Sequence, residues 1–214
     1  MGNTTDPRPQ ELAPQGGWCE APLRLPPPAK PRGVLFRALA RTARIFGRAQ
    51  VPDVFTVLHL HPRLFWPWLW FASRLMPRGR LPARMREMLI LRTAWNCRCR
   101  YEWAQHVDLA LRVGLTDADI LRAARGPAAC ADAHSRALLQ ACDELTQGDR
   151  LSDATWSLLA ERHDRKALIE ILLLIGHYRM LAGFLNTAGL RLEAPVEERL
   201  AAFHRRLTTG EAFS

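Results

Sequence analysis

Apolar side chains recur every three to four residues along most of the chain after Gly33, which is the spacing of one helix face. No segment sustains the alternation of apolar and polar residues that marks a half-buried strand. The pattern therefore predicts an all-α fold, and the turn signals between the apolar stretches place the helix ends.

Proline, glycine and capping residues divide the helical pattern into elements. Pro82 opens a helix, Gly114 ends a later one, and Thr116 with Asp119 forms a capping box for the next. The first predicted helices are a basic amphipathic one at 34–48, a short one after Pro52 and a Trp-rich one up to Met76. A helix from Pro82 to a bend at 97–99 follows, then one from that bend to Gly114 and one after Thr116. Four more are predicted at about 132–147, 152–162, 165–187 and 195–207.

The N-terminal part of the chain differs from the rest. Residues 1–32 contain eight prolines and little apolar periodicity, which predicts a tail that is mobile or draped over a neighbouring subunit. Residues 33–210 are predicted to form a single helical domain, with a motif core at about 60–145.

Composition narrows the classes of partner. The net charge is +9, with +12 in residues 1–100 and −3 in the remainder, but Lys30 and Lys166 are the only lysines. Without a recognition motif, this arginine excess does not indicate a nucleic-acid partner, and it suits a small anionic substrate equally well. We expect no nucleic acid to bind.

The cysteines and the apolar runs bear on the compartment. Five cysteines follow no disulfide-scaffold pattern, and no hydrophobic signal segment opens the chain, so we expect a reducing, cytoplasmic location. The apolar run at 64–72 is far shorter than the roughly 20 residues of a membrane span, so no membrane partner is expected.

Candidate chemistry gathers at the bend between two helices. Cys99, Glu102 and His106 fall on one helical face beside an apolar stripe, and Glu87 lies on the apolar side of the preceding helix. A carboxyl group and an imidazole in one apolar niche can exchange a proton near neutral pH. The competing interpretations are a structural histidine bonded to a carbonyl, and a Glu87 carboxylate paired with a neighbouring arginine.

Two further side chains of the bend have open roles. Cys99 begins a helix beside Arg98 and Arg100, which favours a reactive thiolate, yet it can equally be a small packing residue. Cys97 is poorly placed as a resolving thiol. Glu102 can be a second acid, a substrate anchor or a solvated partner of an arginine. We expect no metal site, because the Cys97, Cys99 and His106 spacing matches no zinc pattern.

At these residues the chain resembles the carboxymuconolactone decarboxylase and AhpD-like (alkylhydroperoxidase-like) superfamily. The redox branch of that family has Glu, then Cys twelve residues later within Cys-x-x-Cys-x-x-x-His, and Glu87, Cys99 and His106 fall on that spacing. The second cysteine is replaced by Glu102, as in the decarboxylase-like branch. Further matches are the strings 81–84, 101–106 and 176–181, so the resemblance covers roughly residues 50–190.

The resemblance implies an AhpD-like multi-helix bundle around a helix-turn-helix core, assembled as a trimer or hexamer. It implies a cofactor-free enzyme that decarboxylates or isomerises a small carboxylated or carbonyl substrate through an enolate. The expected catalytic residues are Glu87, His106, Cys99 and Glu102, and the expected substrate-binding residues are Arg92, Trp103 and His177. For His177, a subunit contact or a core hydrogen bond is the competing interpretation.

Two alternatives stay open at the level of sequence. The first is an alkylhydroperoxidase-like thiol peroxidase (peroxiredoxin activity) in which Cys99 is the reacting sulfur. The second is a helical scaffold or binding protein that has kept the fold without the chemistry.

Overall fold

The computed structural model describes residues 12–29, 33, 36 and 51–209, and this part of the chain is helical without a strand. The all-α prediction is confirmed. The helices are α1 (Asp53–Leu58), α2 (Pro62–Leu75), α3 (Ala83–Asn96), α4 (Arg100–Arg112), α5 (Asp117–Arg125), α6 (Ala133–Gln147), α7 (Asp153–Ala160), α8 (Arg165–Ala188) and α9 (Ala194–Thr209), with a 3-10 turn at Pro127–Ala129. Apart from Phe36, the helix predicted at 34–48 lies outside the described residues.

Helix α3 is the centre of the bundle because both of its sides are apolar. Leu89 and Ile90 belong to a core shared with α6, α7 and α8. Leu91 and Ala94 belong to a second core, shared with α4, α5 and α9. A helix that is apolar on two sides has to be covered on both, and the later helices wrap around it.

The helix ends follow the capping signals of the sequence. The Thr116 hydroxyl accepts from the Asp119 amide while the Asp119 carboxylate accepts from the Thr116 amide, which completes the predicted capping box. Side chains of the same kind cap α6, α7 and α8, namely Asp132, Ser152 and Asp164. Helix α8 ends at Gly189, where φ is +68°.

The bend at 97–99 turns the chain back on itself. Arg98 takes a left-handed conformation with φ of +53°, and α4 begins immediately after Cys99. Because so short a connection makes α3 and α4 antiparallel neighbours, the middle of one helix faces the middle of the other. Glu87 lies in the first half of α3 and His106 lies in the middle of α4.

The N-terminal segment 12–25 lies across its own chain. The Trp18 ring packs on Trp95 and Trp103, at centroid distances of 5.4 and 6.0 Å. The Cys19 amide donates to the Arg98 carbonyl over 2.8 Å, and the amide of residue 24 donates to the Ala188 carbonyl. Residues 12–25 thus lie against their own chain, whereas the prediction for 1–32 was a tail that is mobile or draped over a neighbouring subunit; residues 1–11 and 30–32 lie outside the described part.

Within the described residues, one helix is long and apolar enough to cross a membrane. This is α8, whose most apolar 18-residue window is 56% buried inside the molecule. The sequence prediction considered the run at 64–72 and missed this helix. Length and composition do not by themselves separate a membrane span from a core helix, and much of α8 is packed in the interior.

Candidate active site

Glu87 and His106 meet between α3 and α4. The Glu87 Oε2 and His106 Nδ1 atoms are 2.7 Å apart, and the two residues are 2% and 6% exposed. An ionised Glu87 accepts from Nδ1–H, which leaves Nε2 as the nitrogen that can exchange a proton with a substrate. Arg84 and Arg92 are the neighbouring arginines that could have paired with Glu87. Instead, Arg84 pairs with Asp119 and Arg92 pairs with Asp143.

Helix α8 supplies an aromatic wall to this pair. The Tyr178 ring stands perpendicular to the His106 imidazole, with centroids 5.0 Å apart and planes at 89°. Its hydroxyl lies 3.6 Å from the Met76 sulfur. The ring therefore restricts how the imidazole can turn, while the Glu87 carboxylate fixes which nitrogen points to α3. Tyr178 lay inside the string 176–181 that we matched to the family, but nothing in the sequence gave it a role.

Glu102 lies one turn before His106 and is 2% exposed. Neither of its carboxyl oxygens has a hydrogen-bond partner among the described residues. Burial raises the pKa of Glu102 well above its ordinary value, which favours the neutral form of the carboxyl group. The interpretation of Glu102 as a solvated partner of an arginine is wrong: the neighbouring Arg100 guanidinium binds Glu197 instead.

Cys99 is fully buried where α4 begins. Burial, followed by the nearby Glu102, raises the pKa of the Cys99 thiol well above its ordinary value. The same causes raise the pKa of the half-buried Cys97 to about 11. The expected thiolate is therefore not favoured, because desolvation outweighs the helix terminus and the Arg98 guanidinium is turned to the carbonyls of Gly16 and Gly17.

Arg92 makes structural contacts, which do not favour the substrate-binding role that we predicted for it. Its Nε and Nη2 atoms donate to the two carboxylate oxygens of Asp143 over 2.5 and 2.9 Å. Its Nη1 atom donates to the carbonyls of Ala123 and Ala124 at the end of α5. These bonds engage every nitrogen of the guanidinium, which ties α3 to α5 and α6 and leaves no edge for a substrate anion.

Trp103 and His177 lie in the packed interior. Trp103 is fully buried, and its ring packs on Trp95 with centroids 5.0 Å apart, so it is a core residue; its role in substrate binding stays a prediction. His177 stacks on Trp68, with centroids 5.9 Å apart and planes at 20°. Burial lowers its pKa to about 4, so the ring is neutral at ordinary pH. It adjoins Tyr178 on the wall of the site.

A second buried carboxylate, Glu193, organises the opposite side of α4. It accepts from the Tyr101 hydroxyl over 2.6 Å, from the Gln105 amide over 2.7 Å and from the backbone amide of Asp53 over 2.6 Å. These bonds connect the motif helix to α1 and to the start of α9. Sequence reasoning missed Glu193, because it lies 88 residues from Gln105 and in no motif.

The described residues contain no group of three or more histidine, cysteine, aspartate or glutamate side chains placed to hold a metal ion. The titratable groups of the two motif helices are instead the Glu87–His106 pair, the Glu102 carboxyl group and the thiols of Cys97 and Cys99. Such a set can hold and move protons, and its thiols can in principle be oxidised.

Residues 62–144, which run from α2 to the later part of α6, match the model of the carboxymuconolactone decarboxylase family. Over this segment, which is less than half of the chain, the sequence is similar to that family. The match contains both Glu87 and His106, and it confirms the resemblance seen in the sequence. No curated protein matches the chain significantly.

Solved structures with the same fold extend the likeness beyond that segment. One is an uncharacterized peroxidase-related protein from Silicibacter sp. TM1040, at 16% identity and a TM-score of 0.72, which covers 84% of this chain and 96% of that one. Another is a cysteine-to-alanine variant of the debrominase Bmp8 in complex with 2,3,4-tribromopyrrole, at 14% identity and a TM-score of 0.71, with 86% and 99% covered. At such identities the likeness shows the shared fold.

Proposed function

We propose that this protein is an acid/base enzyme of the carboxymuconolactone decarboxylase type, in which Glu87 and His106 move a proton on a small carboxylated or carbonyl-containing substrate. The contact of 2.7 Å between Glu87 and His106 inside the bundle carries the proposal. A buried imidazole held by a carboxylate is oriented before the substrate arrives, which is what general acid/base catalysis needs.

The chemistry requires no cofactor. In a decarboxylation, the bond between the carboxylate carbon and the substrate breaks, its electron pair forms an enolate, and carbon dioxide leaves. Nε2 of the protonated His106, whose positive charge Glu87 stabilises, then donates its proton to the enolate carbon, and a proton from water restores the imidazolium for the next turnover. In an isomerisation, Nε2 of neutral His106 first removes a proton beside the carbonyl and later returns it to another carbon.

Glu102, which lies one turn before His106 on α4, supports the proposed acid/base chemistry. A carboxyl group held in its protonated form can donate a hydrogen bond to a developing oxyanion. Its two oxygens are without a protein partner in the described residues, so a substrate oxygen would meet no competing bond there. Entry of a substrate to this depth requires side chains of the wall to move, since Glu102 and His106 are both buried.

A thiol peroxidase is the second candidate, and the peroxidase-related protein of the same fold is the observation that favours it. The state of Cys99 opposes it. A fully buried thiol with a raised pKa is a weak nucleophile toward peroxide. All five cysteines are free, so Cys99 forms no disulfide with Cys97 in the described residues.

The test compares turnover in variants of the pair on a panel of carboxylated lactones and β-keto acids. We expect Glu87→Gln and His106→Gln each to lower kcat by about 10²–10⁴-fold, which is the contribution of a positioned acid or base. His204→Gln, which alters another buried histidine in α9, serves as the matched control and should keep wild-type turnover.

Two outcomes contradict the proposal. Glu87→Gln and His106→Gln retaining wild-type kcat on a confirmed substrate would remove the pair from the mechanism. Peroxide consumption by the wild type that disappears in Cys99→Ser would favour the thiol peroxidase. Absence of turnover on every compound of the panel is what the non-catalytic scaffold predicts.

A further inference from the structure

Arg86 is a charged side chain inside the bundle. It is 6% exposed, and no other arginine of the described residues is buried so deeply. A guanidinium stays protonated at any pH at which proteins are folded, and its removal from water is costly unless other groups replace the lost hydration. The partners of Arg86 therefore decide what this position is for.

The chain itself offers Arg86 one weak partner. Its Nη1 atom lies 3.4 Å from the carbonyl oxygen of Leu81, which is longer than an ordinary hydrogen bond. Its Nε atom is buried and has no partner among the described residues. Most of the N–H donors of this guanidinium are thus without a protein acceptor.

The acids near Arg86 are engaged by other groups. Glu87, the next residue on α3, binds the imidazole of His106. Glu170 of α8 accepts from two backbone amides of the connection between α2 and α3. No carboxylate of the described residues therefore neutralises Arg86.

Arg92, six residues further along α3, has the opposite surroundings. Its guanidinium is also shielded from water, but it donates to both carboxylate oxygens of Asp143 and to two carbonyls at the end of α5. The fold compensates the charge of Arg92 from within and leaves that of Arg86 uncompensated. A buried and unpaired guanidinium is suited to bind an anion from outside the chain.

Arg86 also lies beside the proposed acid/base site. It directly precedes Glu87, and its guanidinium reaches the connection between α2 and α3 at Leu81. The same connection contains Met76, whose sulfur is 3.6 Å from the hydroxyl of Tyr178 on the wall of the site. The buried charge and this wall therefore meet at one connection.

We propose that Arg86 binds a carboxylate of the substrate on which Glu87 and His106 act, an inference that rests on the proposed function. One carboxylate can accept from two N–H groups of a guanidinium at once. The carboxylate bound is one that stays on the substrate. A guanidinium on a departing carboxylate would stabilise the reactant more than the transition state, in which that charge is being lost. Arg86, rather than Arg92, is then the anchor of the substrate anion.

The first test is binding of malonate to the full-length chain, measured by isothermal titration calorimetry against sodium chloride at equal ionic strength. Arg86→Met, which removes the charge at similar volume, should raise the Kd by about 10–100-fold. Arg86→Lys, which keeps the charge without the two-pronged geometry, should raise it less. Arg80→Met is the matched control, because it removes an exposed arginine of the same connection, and it should leave the Kd unchanged.

The second test separates binding from chemistry on a confirmed substrate. Arg86→Met should raise KM by about 10–100-fold and change kcat less, because the anchor holds the substrate before and during the reaction. Converting the unreactive carboxylate of the substrate to its methyl ester should raise KM for the wild type but not for Arg86→Met. In urea without malonate, Arg86→Met should be at least as stable as the wild type, since an unpaired buried charge is gone.

Two results would overturn the inference. One is a Kd for malonate that is equal in the wild type and in Arg86→Met. The other is a loss of stability in Arg86→Met with unchanged KM, which would mean that Arg86 only supports the connection at Leu81. Failure of the proposed function looks different: kcat unaltered in Glu87→Gln and His106→Gln contradicts the acid/base pair, whereas malonate binding that depends on Arg86 still supports the anion site.

Discussion

At the scale of single residues, burial and the presence of a partner together decide the chemistry of the groups near α4. Cys99 and Glu102 are both buried, and for each of them desolvation is the largest cause of a raised pKa. Glu87 is equally buried but has the His106 imidazole as a partner at hydrogen-bond distance. Glu87 and Glu102 are equally buried, but their chemistry differs. Glu87 is paired with an imidazole, whereas Glu102 has no hydrogen-bond partner in the described residues.

Glu102→Gln tests this assignment through stability. Because the folded state raises the pKa of Glu102, the neutral carboxyl stabilises the fold fully only below the ordinary glutamate pKa, and this contribution is lost as pH rises. Glutamine stays neutral at every pH. We expect the free energy of unfolding of Glu102→Gln to exceed that of the wild type at about pH 8 and the difference to shrink toward about pH 4, measured by urea denaturation. A difference that is the same at both values would contradict the raised pKa of Glu102.

At the scale of elements, two features fix the position of α3 against its neighbours. They are the bend at 97–99 and the hydrogen bonds of Arg92. The bend places His106 opposite Glu87, while the Arg92–Asp143 pair fixes α3 against α6 from the other side. The side chains of this pair are only 11% and 15% exposed, so water screens the interaction weakly.

Arg92→Lys separates the structural role of Arg92 from a role in substrate binding. A lysine keeps the charge but cannot bond both Asp143 oxygens and the carbonyls at the end of α5. We expect the free energy of unfolding to fall by about 2–4 kcal/mol, with KM for any confirmed substrate unchanged. A KM that rises severalfold with unaltered stability would restore the substrate anchor that the sequence suggested. Asp143→Asn is the matched partner variant and should destabilise the fold in the same way.

The sequence predicted the helices well because their boundaries are local. The capping residues Thr116 and Asp119 and the stop at Gly114 act on backbone groups within a few residues, and the structure shows them at the expected positions. The spacing of Glu87 and His106 also followed from one short bend. The partners of Arg92 and the position of Glu193 could not be predicted, because they depend on contacts across 51 and 88 residues that no periodic pattern records.

At the scale of the whole molecule, the N-terminal segment completes the core around α4. Trp18 covers the Trp95 and Trp103 rings, and backbone hydrogen bonds tie residues 19, 24 and 25 to the bend and to the end of α8. Residues 12–29 contain no helix, and their proline-rich composition could not reveal which surface the segment covers.

Trp18→Ala tests whether that surface belongs to the same chain. Loss of the half-buried ring should lower the free energy of unfolding by about 2 kcal/mol, since it opens a cavity over Trp103. The loss should be equal at two protein concentrations about 100-fold apart, measured by thermal denaturation, because a contact within one chain does not depend on concentration. A loss that grows on dilution would mean that Trp18 packs on a neighbouring subunit instead.

The most direct test of the central claim is the position of the proton on His106, observed by long-range ¹H–¹⁵N NMR of the imidazole. At about pH 7 we predict a proton on Nδ1 that exchanges slowly with water, because Glu87 accepts it inside the bundle, and the loss of this protected signal in Glu87→Leu. A proton on Nε2 with a bare Nδ1, or a signal unchanged in Glu87→Leu, would contradict the pairing of Glu87 with His106.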